Sequence, residues 1–241
     1  EVSWVAADKD QSERSTGESI ASFQLVDDNG WLGSVRSGVE AAYNFFEERQ
    51  RHRSVELAGD HSSEMDVSEM RLSSDFFANW LLEPGLSVEA GAEIEYSEIS
   101  FEAQVEESRQ YTYPKPRLKL SYEPDGGDLW SLSIRRQIEH LKLSDFMSIV
   151  RQHLDIVGST ATQLEPEKSW VFSSEYQHSL SQDKGLLSLG AFYYRIDDVI
   201  DQQPVAGNQA IKGNIGSADR YGLRLESDYY LQANTQLNAY L

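Results

Sequence analysis

The chain has 241 residues, 39% of them hydrophobic, no cysteine, and a formal charge of -19 from 40 acidic against 21 basic side chains. Without cysteine there are no disulfides, thiolate metal centres or cysteine nucleophiles, and so negative a field repels nucleic acid and anionic membrane surfaces. No run of 18 apolar residues exists, so no helix spans a membrane; a transmembrane barrel stays open despite the mean hydropathy of -0.53, because its strands alternate lipid-facing apolar with interior polar residues.

Strand-like runs fall at 2–8, 19–27, 31–46, 69–83, 86–97, 116–123, 128–138, 169–181, 186–199, 215–231 and 236–241, about eleven in all. In 31–46, Val35, Val39, Ala41, Tyr43 and Phe45 oppose Ser34, Arg36, Glu40 and Asn44. In 69–83, Met70, Leu72, Phe76, Ala78, Trp80 and Leu82 oppose Arg71, Ser73, Asp75 and Asn79. The clearest strand is 86–97, where Leu86, Val88, Ala90, Ala92, Ile94 and Tyr96 oppose Ser87, Glu89, Gly91, Glu93, Glu95 and Ser97 in strict period two. Leu118, Leu120 and Tyr122 then oppose Arg117, Lys119 and Ser121, and Trp130, Leu132, Ile134 and Ile138 oppose Ser131, Ser133, Arg135 and Gln137. The run 186–199 is ambiguous, since both of its faces hold aromatics. In 215–231, Tyr221, Leu223, Leu225 and Tyr229 oppose Gly222, Arg224, Glu226 and Asp228.

The connections alternate in length. Tight turns read Asp27-Asp28-Asn29-Gly30, Pro84-Gly85, Pro124-Asp125-Gly126-Gly127, Gln182-Asp183-Lys184-Gly185 and Gln232-Ala233-Asn234-Thr235, whereas long connections lie at about 9–18, 48–68, 102–110, 139–168 and 200–214. That layout predicts an all-β, antiparallel, up-and-down transmembrane barrel with short periplasmic turns and long extracellular loops. Strands of soluble sheets average about 5–6 residues, so runs this long suit strands that cross a bilayer and project beyond it. Trp31, Trp80, Tyr122, Trp130 and Tyr229 lie beside short turns, and Tyr43, Phe45, Tyr96, Tyr113, Trp170, Phe172 and Tyr221 near long-loop ends, which would make two interfacial belts. No signal peptide or initiator Met is visible and the pattern stops midway, so the expectation is a single partial barrel domain, 1–241, from the middle of a longer chain.

Charged side chains on the polar rows should face the lumen, because a cation facing lipid costs about 2–4 kcal/mol at the midplane. The candidate ligand or lumen residues are Arg36, Glu40, Glu89, Glu93, Arg117, Lys119, Arg135, Arg224 and Glu226, with Asp75 and Glu95 on the same rows. They would pair across strands, meet another domain inside the barrel, or line a solute path. Arg136 shares a face with Ile134 and Ile138, and is placed to reach lipid phosphates at the outer interface. Asp60, Glu64, Asp66 and Glu69 could collect calcium or bridge lipopolysaccharide, although their spacing fits no EF-hand. The connection 139–168 is the longest and unusually apolar; a short helix around 144–153 with Ser144 as N-cap would make it either a ligand-closing lid or packing at the barrel mouth. His52, His61, His140, His153 and His178 form no HExxH motif, there is no Gly-x-Ser-x-Gly elbow, and adjacent His-Ser pairs in a strand point to opposite faces, so neither an enzyme nor a cofactor site is expected.

Several stretches resemble the barrel of TonB-dependent outer-membrane receptors. They are Ser37-Gly38-Val39-Glu40-Ala41-Ala42-Tyr43-Asn44; Pro116 through Pro124 followed by Ser133-Ile134-Arg135-Arg136-Gln137-Ile138; Leu164-Glu165-Pro166-Glu167-Lys168-Ser169-Trp170, like the segment that re-enters the barrel from a large loop; and Ile196-Asp197-Asp198-Val199-Ile200 with Asn214-Ile215-Gly216-Ser217-Ala218 through Gly222. Arg224 stands where the family usually has Glu, with Glu226 following. The resemblance implies a barrel of about 22 strands when complete, and an N-terminal plug that meets a TonB-type energising protein; neither the plug nor the last strands match a stretch of this sequence. It further implies the Gram-negative outer membrane, contact with lipid and lipopolysaccharide, and energised uptake of a scarce nutrient such as an iron chelate, cobalamin or an oligosaccharide. A passive porin-like channel and a secreted all-β binding module are the alternatives.

Overall fold

The computed structural model describes residues 9–30, 33–54, 59–102, 106–124, 127–140, 164–180, 185–205, 209–232 and 235–240. Among these, every regular element is a strand: β1 (Lys9–Gly30), β2 (Gly33–Ser54), β3 (Gly59–Glu83), β4 (Leu86–Glu102), β5 (Glu106–Tyr122), β6 (Asp128–Glu139), β7 (Glu167–Leu180), β8 (Gly185–Asp197), β9 (Ile200–Val205), β10 (Gln209–Asn214), β11 (Ala218–Gln232) and β12 (Thr235–Tyr240). Ten of them form one sheet in the order β1-β2-β3-β4-β5-β6-β7-β8-β11-β12, with consecutive strands antiparallel, while β9 and β10 make a separate two-stranded ribbon. This is an up-and-down meander, with the ribbon as an excursion between β8 and β11.

Register turns the sequence alternation into two chemically distinct faces. Directly paired residues of an antiparallel ladder point the same way, so a row can be followed across strands. Ala90, Leu118, Ile134, Phe172, Tyr193 and Tyr221 are successive partners from β4 to β11. The next row on that face is Val88, Leu120, Leu132, Ser174, Ala191 and Leu223. One residue aside, on the opposite face, run Gly91, Arg117, Arg135, Val171, Tyr194 and Arg220. The same register resolves 186–199: Leu189, Ala191 and Tyr193 take the apolar face, Phe192 and Tyr194 the charged one.

The apolar face is left uncovered. Leu118 is 48% exposed, Leu132 55%, Leu223 76% and Tyr221 79%. A soluble sandwich would bury such rows against a second sheet; here the buried apolar side chains Val67, Ile99, Phe101, Tyr113 and Val171 lie instead on the charged face. A continuous exposed hydrocarbon surface of this extent requires lipid or protein against it.

Several strands outrun the sequence expectation. β1 occupies 9–18, β2 and β3 zip through most of 48–68, and β5 begins at Glu106. Alternating polar residues on both faces give no hydrophobic period, yet the backbone ladder holds such strands once a neighbour is in place. The 200–214 connection is the β9–β10 ribbon. The 2–8 strand, and 141–163 with its expected helix at 144–153, lie outside the described residues. The Pro84-Gly85 hairpin is as expected: Gly85 has φ +81°, and Glu123 N–H donates to its carbonyl at 2.7 Å.

One join in the sheet is partial. β5 and β6 pair only from Arg117–Arg135 to Tyr122–Trp130; beyond that β5 pairs with β4 alone and β6 with β7 alone. Pro114 and Pro116 lie in the stretch of β5 that pairs with β4 but not with β6, and a proline has no N–H to offer a ladder on that open side.

Candidate functional site

All nine candidate residues occupy the charged face, and β2 to β6 bring one group of them together. A cavity of about 490 Å³ is lined by Arg36, Asp75, Glu93, Arg117, Arg135 and Arg136, among others, and also by Lys115. Beside it, Glu40, Glu93, Glu95, Lys115 and His140 line a smaller space of about 240 Å³. A third cavity, of about 500 Å³ on the β6–β11 side, holds Arg224 and Glu226 with Arg220, and shares Arg135 with the first. Glu89 lies beside these spaces and engages Arg117. Lys119 is Glu89's direct ladder partner.

Ion pairs knit the wall. Lys115 Nζ lies 3.0 Å from Glu93 Oε1 and 2.8 Å from Glu95 Oε2, with Glu95 only 4% exposed. His140 Nε2 stands 3.5 Å from the same Glu95 oxygen. Arg117 Nε is 3.1 Å from Glu89 Oε1; the distance makes an ion pair, but the angle falls short of a hydrogen bond, so the contact is mainly electrostatic. Arg224 Nε reaches Glu226 Oε1 at 3.7 Å, both well exposed. Deeper along the strands, buried Glu69 accepts from Ser97 Oγ at 2.9 Å and Asn44 Nδ2 at 3.2 Å, and buried Glu48 accepts from Ser12 Oγ and Arg14 Nε at 3.1 Å each. Among the described residues, five buried polar atoms of this face make no hydrogen bond: Asn44 Oδ1, Asp75 Oδ2, Glu89 Oε1, Glu95 Oε1 and Tyr113 OH. A buried polar atom left without a partner costs about 1–3 kcal/mol.

The sequence expectation passed over Lys115, which pairs with two glutamates. Its neighbours Pro114 and Pro116 read as a strand end; carrying period two back from Arg117 would have reached it. Arg136 keeps the apolar-face position the sequence expects, opposite Trp170, and its Nη1 donates to Pro114 O at a long 3.4 Å, across the part of the join where β5 and β6 do not pair. Of the four loop carboxylates, Asp66 and Glu69 are three apart in one strand, hence on opposite faces, and Glu69 accepts from Ser97 and Asn44. The side chains of Asp60 and Glu64 lie outside the described residues, and among those described no three carboxylates or histidines gather for a metal.

A second polar cluster pins the end of the long connection. Asn214 Oδ1 accepts from Glu165 N–H at 2.8 Å, and its Nδ2 donates to the carbonyls of Glu165 at 2.9 Å and Asp198 at 2.6 Å. Lys168 Nζ holds Asp198 at 2.8 Å and also Glu165. Partial burial works against the Lys168 ammonium, but the bonds to Asp198 and Glu165 prevail and raise its pKa above the ordinary lysine value. Ile200 N–H donates to Glu167 Oε1 at 2.7 Å, and Tyr111 OH reaches Leu164 O at 3.4 Å. Leu164 and Pro166 are buried there. Asp198 adopts φ +59°, the left-handed turn from which β9 departs. At the other end, beside the turn before β6, Asp128 Oδ1 takes His178 Nδ1 at 2.6 Å and Tyr176 OH at 2.9 Å, which hold its carboxyl below the usual range.

Comparison with known proteins bears on this geometry. The family model for the TonB dependent receptor-like beta-barrel matches residues 4–241. Among curated protein sequences nothing matches. Among solved structures, the copper transporter OprC superposes with TM-score 0.70 at 14% identity, over 95% of this chain and 37% of that one. The ferric yersiniabactin uptake receptor FyuA from Yersinia pestis gives 0.72 at 11%, over 98% and 36%. The alcaligin outer-membrane receptor FauA from Bordetella pertussis gives 0.61 at 12%, over 97% and 39%. The chain thus spans less than two fifths of the length of each.

Proposed function

The chain belongs to the TonB-dependent receptor-like β-barrel family, and on that premise we propose that it forms part of the wall of an outer-membrane receptor that takes up a scarce nutrient with energy relayed from a TonB-type protein. The observation that carries this reading is the division of one ten-stranded sheet into an uncovered apolar face and a charged face with unmet hydrogen-bonding groups. In a barrel the first faces lipid and lipopolysaccharide, and the second faces a hydrated interior. The nine candidate residues are then lumen groups. Arg36, Glu93, Arg117 and Arg135 are the ones grouped closely enough to act on one solute or on a domain seated inside. The solute belongs to the class of iron chelates, cobalamin or oligosaccharides.

The chain has no native cysteine, which makes single-cysteine labelling clean. In intact outer membranes, a small water-soluble thiol reagent should modify cysteine at Ser121 or Ser131 and spare cysteine at Leu118 or Leu132. Equal labelling of both sets ends the face assignment. Uptake of the nutrient should stop when the proton gradient is collapsed; uptake that continues would mark a passive channel.

A further inference from the structure

We propose that the charged face carries an anion-binding site centred on Arg135 and Arg36, suited to a group bearing two or more negative charges, such as a phosphate or paired carboxylates. The chain is strongly acidic overall, at -19. Yet four cations of the charged face, Arg36, Lys115, Arg117 and Arg135, converge on the 490 Å³ cavity, which Arg136 of the opposite face also lines, against only Asp75 and Glu93. Two of those cations are already matched: Lys115 by Glu93 and Glu95, and Arg117 by Glu89. Arg136 spends a donor on Pro114 O. The Arg36 guanidinium carbon lies over the Phe77 ring at 4.9 Å, a contact that holds the side chain without neutralising it. Arg135 has no ion pair or hydrogen bond among the described residues.

The register makes this more than a count of charges. Arg117 and Arg135 are directly opposite, the first of six consecutive pairs that fix the β5–β6 register. Like charges directly opposite destabilise a ladder. A dianion resolves the conflict, because each guanidinium presents a planar fork of N–H donors to carboxylate or phosphate oxygens. The two acids do not already serve this purpose. Glu93 is held by Lys115, and Asp75, on β3 between Gly38 and Glu93, makes no ion pair with Arg36 or Arg135 among the described residues.

The inference rests on the charged face being the hydrated interior, which the labelling experiment tests separately. For the site itself, the protein is purified from outer membranes in detergent and titrated calorimetrically with inorganic pyrophosphate. Binding is expected, weakening with salt. Arg135→Gln and Arg36→Gln should each weaken it by about tenfold or more, the loss of one charge-assisted contact. Arg195→Gln, a cation on the opposite face, should change it by less than about twofold. If a carboxylate borne elsewhere on the same protein fills the site, wild type will not bind pyrophosphate. Arg135→Glu will then lower the melting temperature more than Arg135→Gln. That outcome supports the site with an internal occupant. The proposal is overturned if pyrophosphate binds and the three Gln variants bind it equally well, or if it does not bind and Arg135→Glu melts with Arg135→Gln.

Discussion

Arginine at Leu118 gives the sharpest test of which face meets hydrocarbon. On β5 the apolar face runs between two aromatic landmarks, Tyr122 paired with Trp130 at one end and Thr112 paired with Tyr96 at the other. Those positions are ten residues apart along the strand. At about 3.4 Å per residue and a tilt near 45°, they are separated by roughly 24 Å along the bilayer normal, close to the height of a barrel's apolar band. Leu118 lies one residue from the middle, between Ala90 and Ile134 in its row. Leu118→Arg should therefore cost about 2–4 kcal/mol. Leu120→Arg, nearer the Tyr122 belt, should cost less, because the charge can reach the interface. Ser121→Arg, on the charged face, should stay within roughly 0.5 kcal/mol. Urea unfolding in phospholipid vesicles, followed by the heat-dependent gel shift of folded barrel, reads all three. If Leu118→Arg and Ser121→Arg unfold together, the face assignment is wrong.

Asn214→Ala removes the side chain that bridges Glu165 and Asp198; a loss of about 1–3 kcal/mol, from roughly 1 kcal/mol per net hydrogen bond, should appear as faster amide exchange at Glu165 while the β4–β5 amides stay protected. Lys168 has a raised pKa in the folded protein, so its contribution is fully present below the unfolded lysine value of about 10.4 and fades as pH rises through the folded value; Lys168→Met should lose that part of the alkaline unfolding profile, and an unchanged profile would deny the clamp. Gly85→Ala places a Cβ against the Glu123 carbonyl at φ +81° and should destabilise the hairpin by about 1–2 kcal/mol or more, measured by the same urea titration.

Period two was legible wherever one face had to be apolar. It placed 86–97, 116–123 and 128–138 in strands, and put Glu89, Glu93, Arg117 and Arg135 on one side before any coordinates. It failed where neither face is apolar, as in 9–18 and 48–68, which the structure pairs into long ladders. There the strand is held by backbone hydrogen bonds to a neighbour, and no residue pattern reports that neighbour. Partner identity was equally hidden. That Glu69 meets Ser97 and Asn44, or that Arg117 faces Arg135, follows from register, which depends on how three or more strands align. In 186–199 both faces hold aromatics, so the alternation was visible but its sense was not until Tyr193 was found beside Phe172.

The incomplete zipper between β5 and β6 has a mechanical consequence. Where neighbouring strands are zipped, changing the girth of the wall means breaking a ladder bond for each residue displaced. Past Arg117, the two strands share a single long hydrogen bond, from Arg136, among the described residues, so they can part or close there without that toll. Any breathing of the wall should concentrate at this slit, which begins at the Arg117–Arg135 pair.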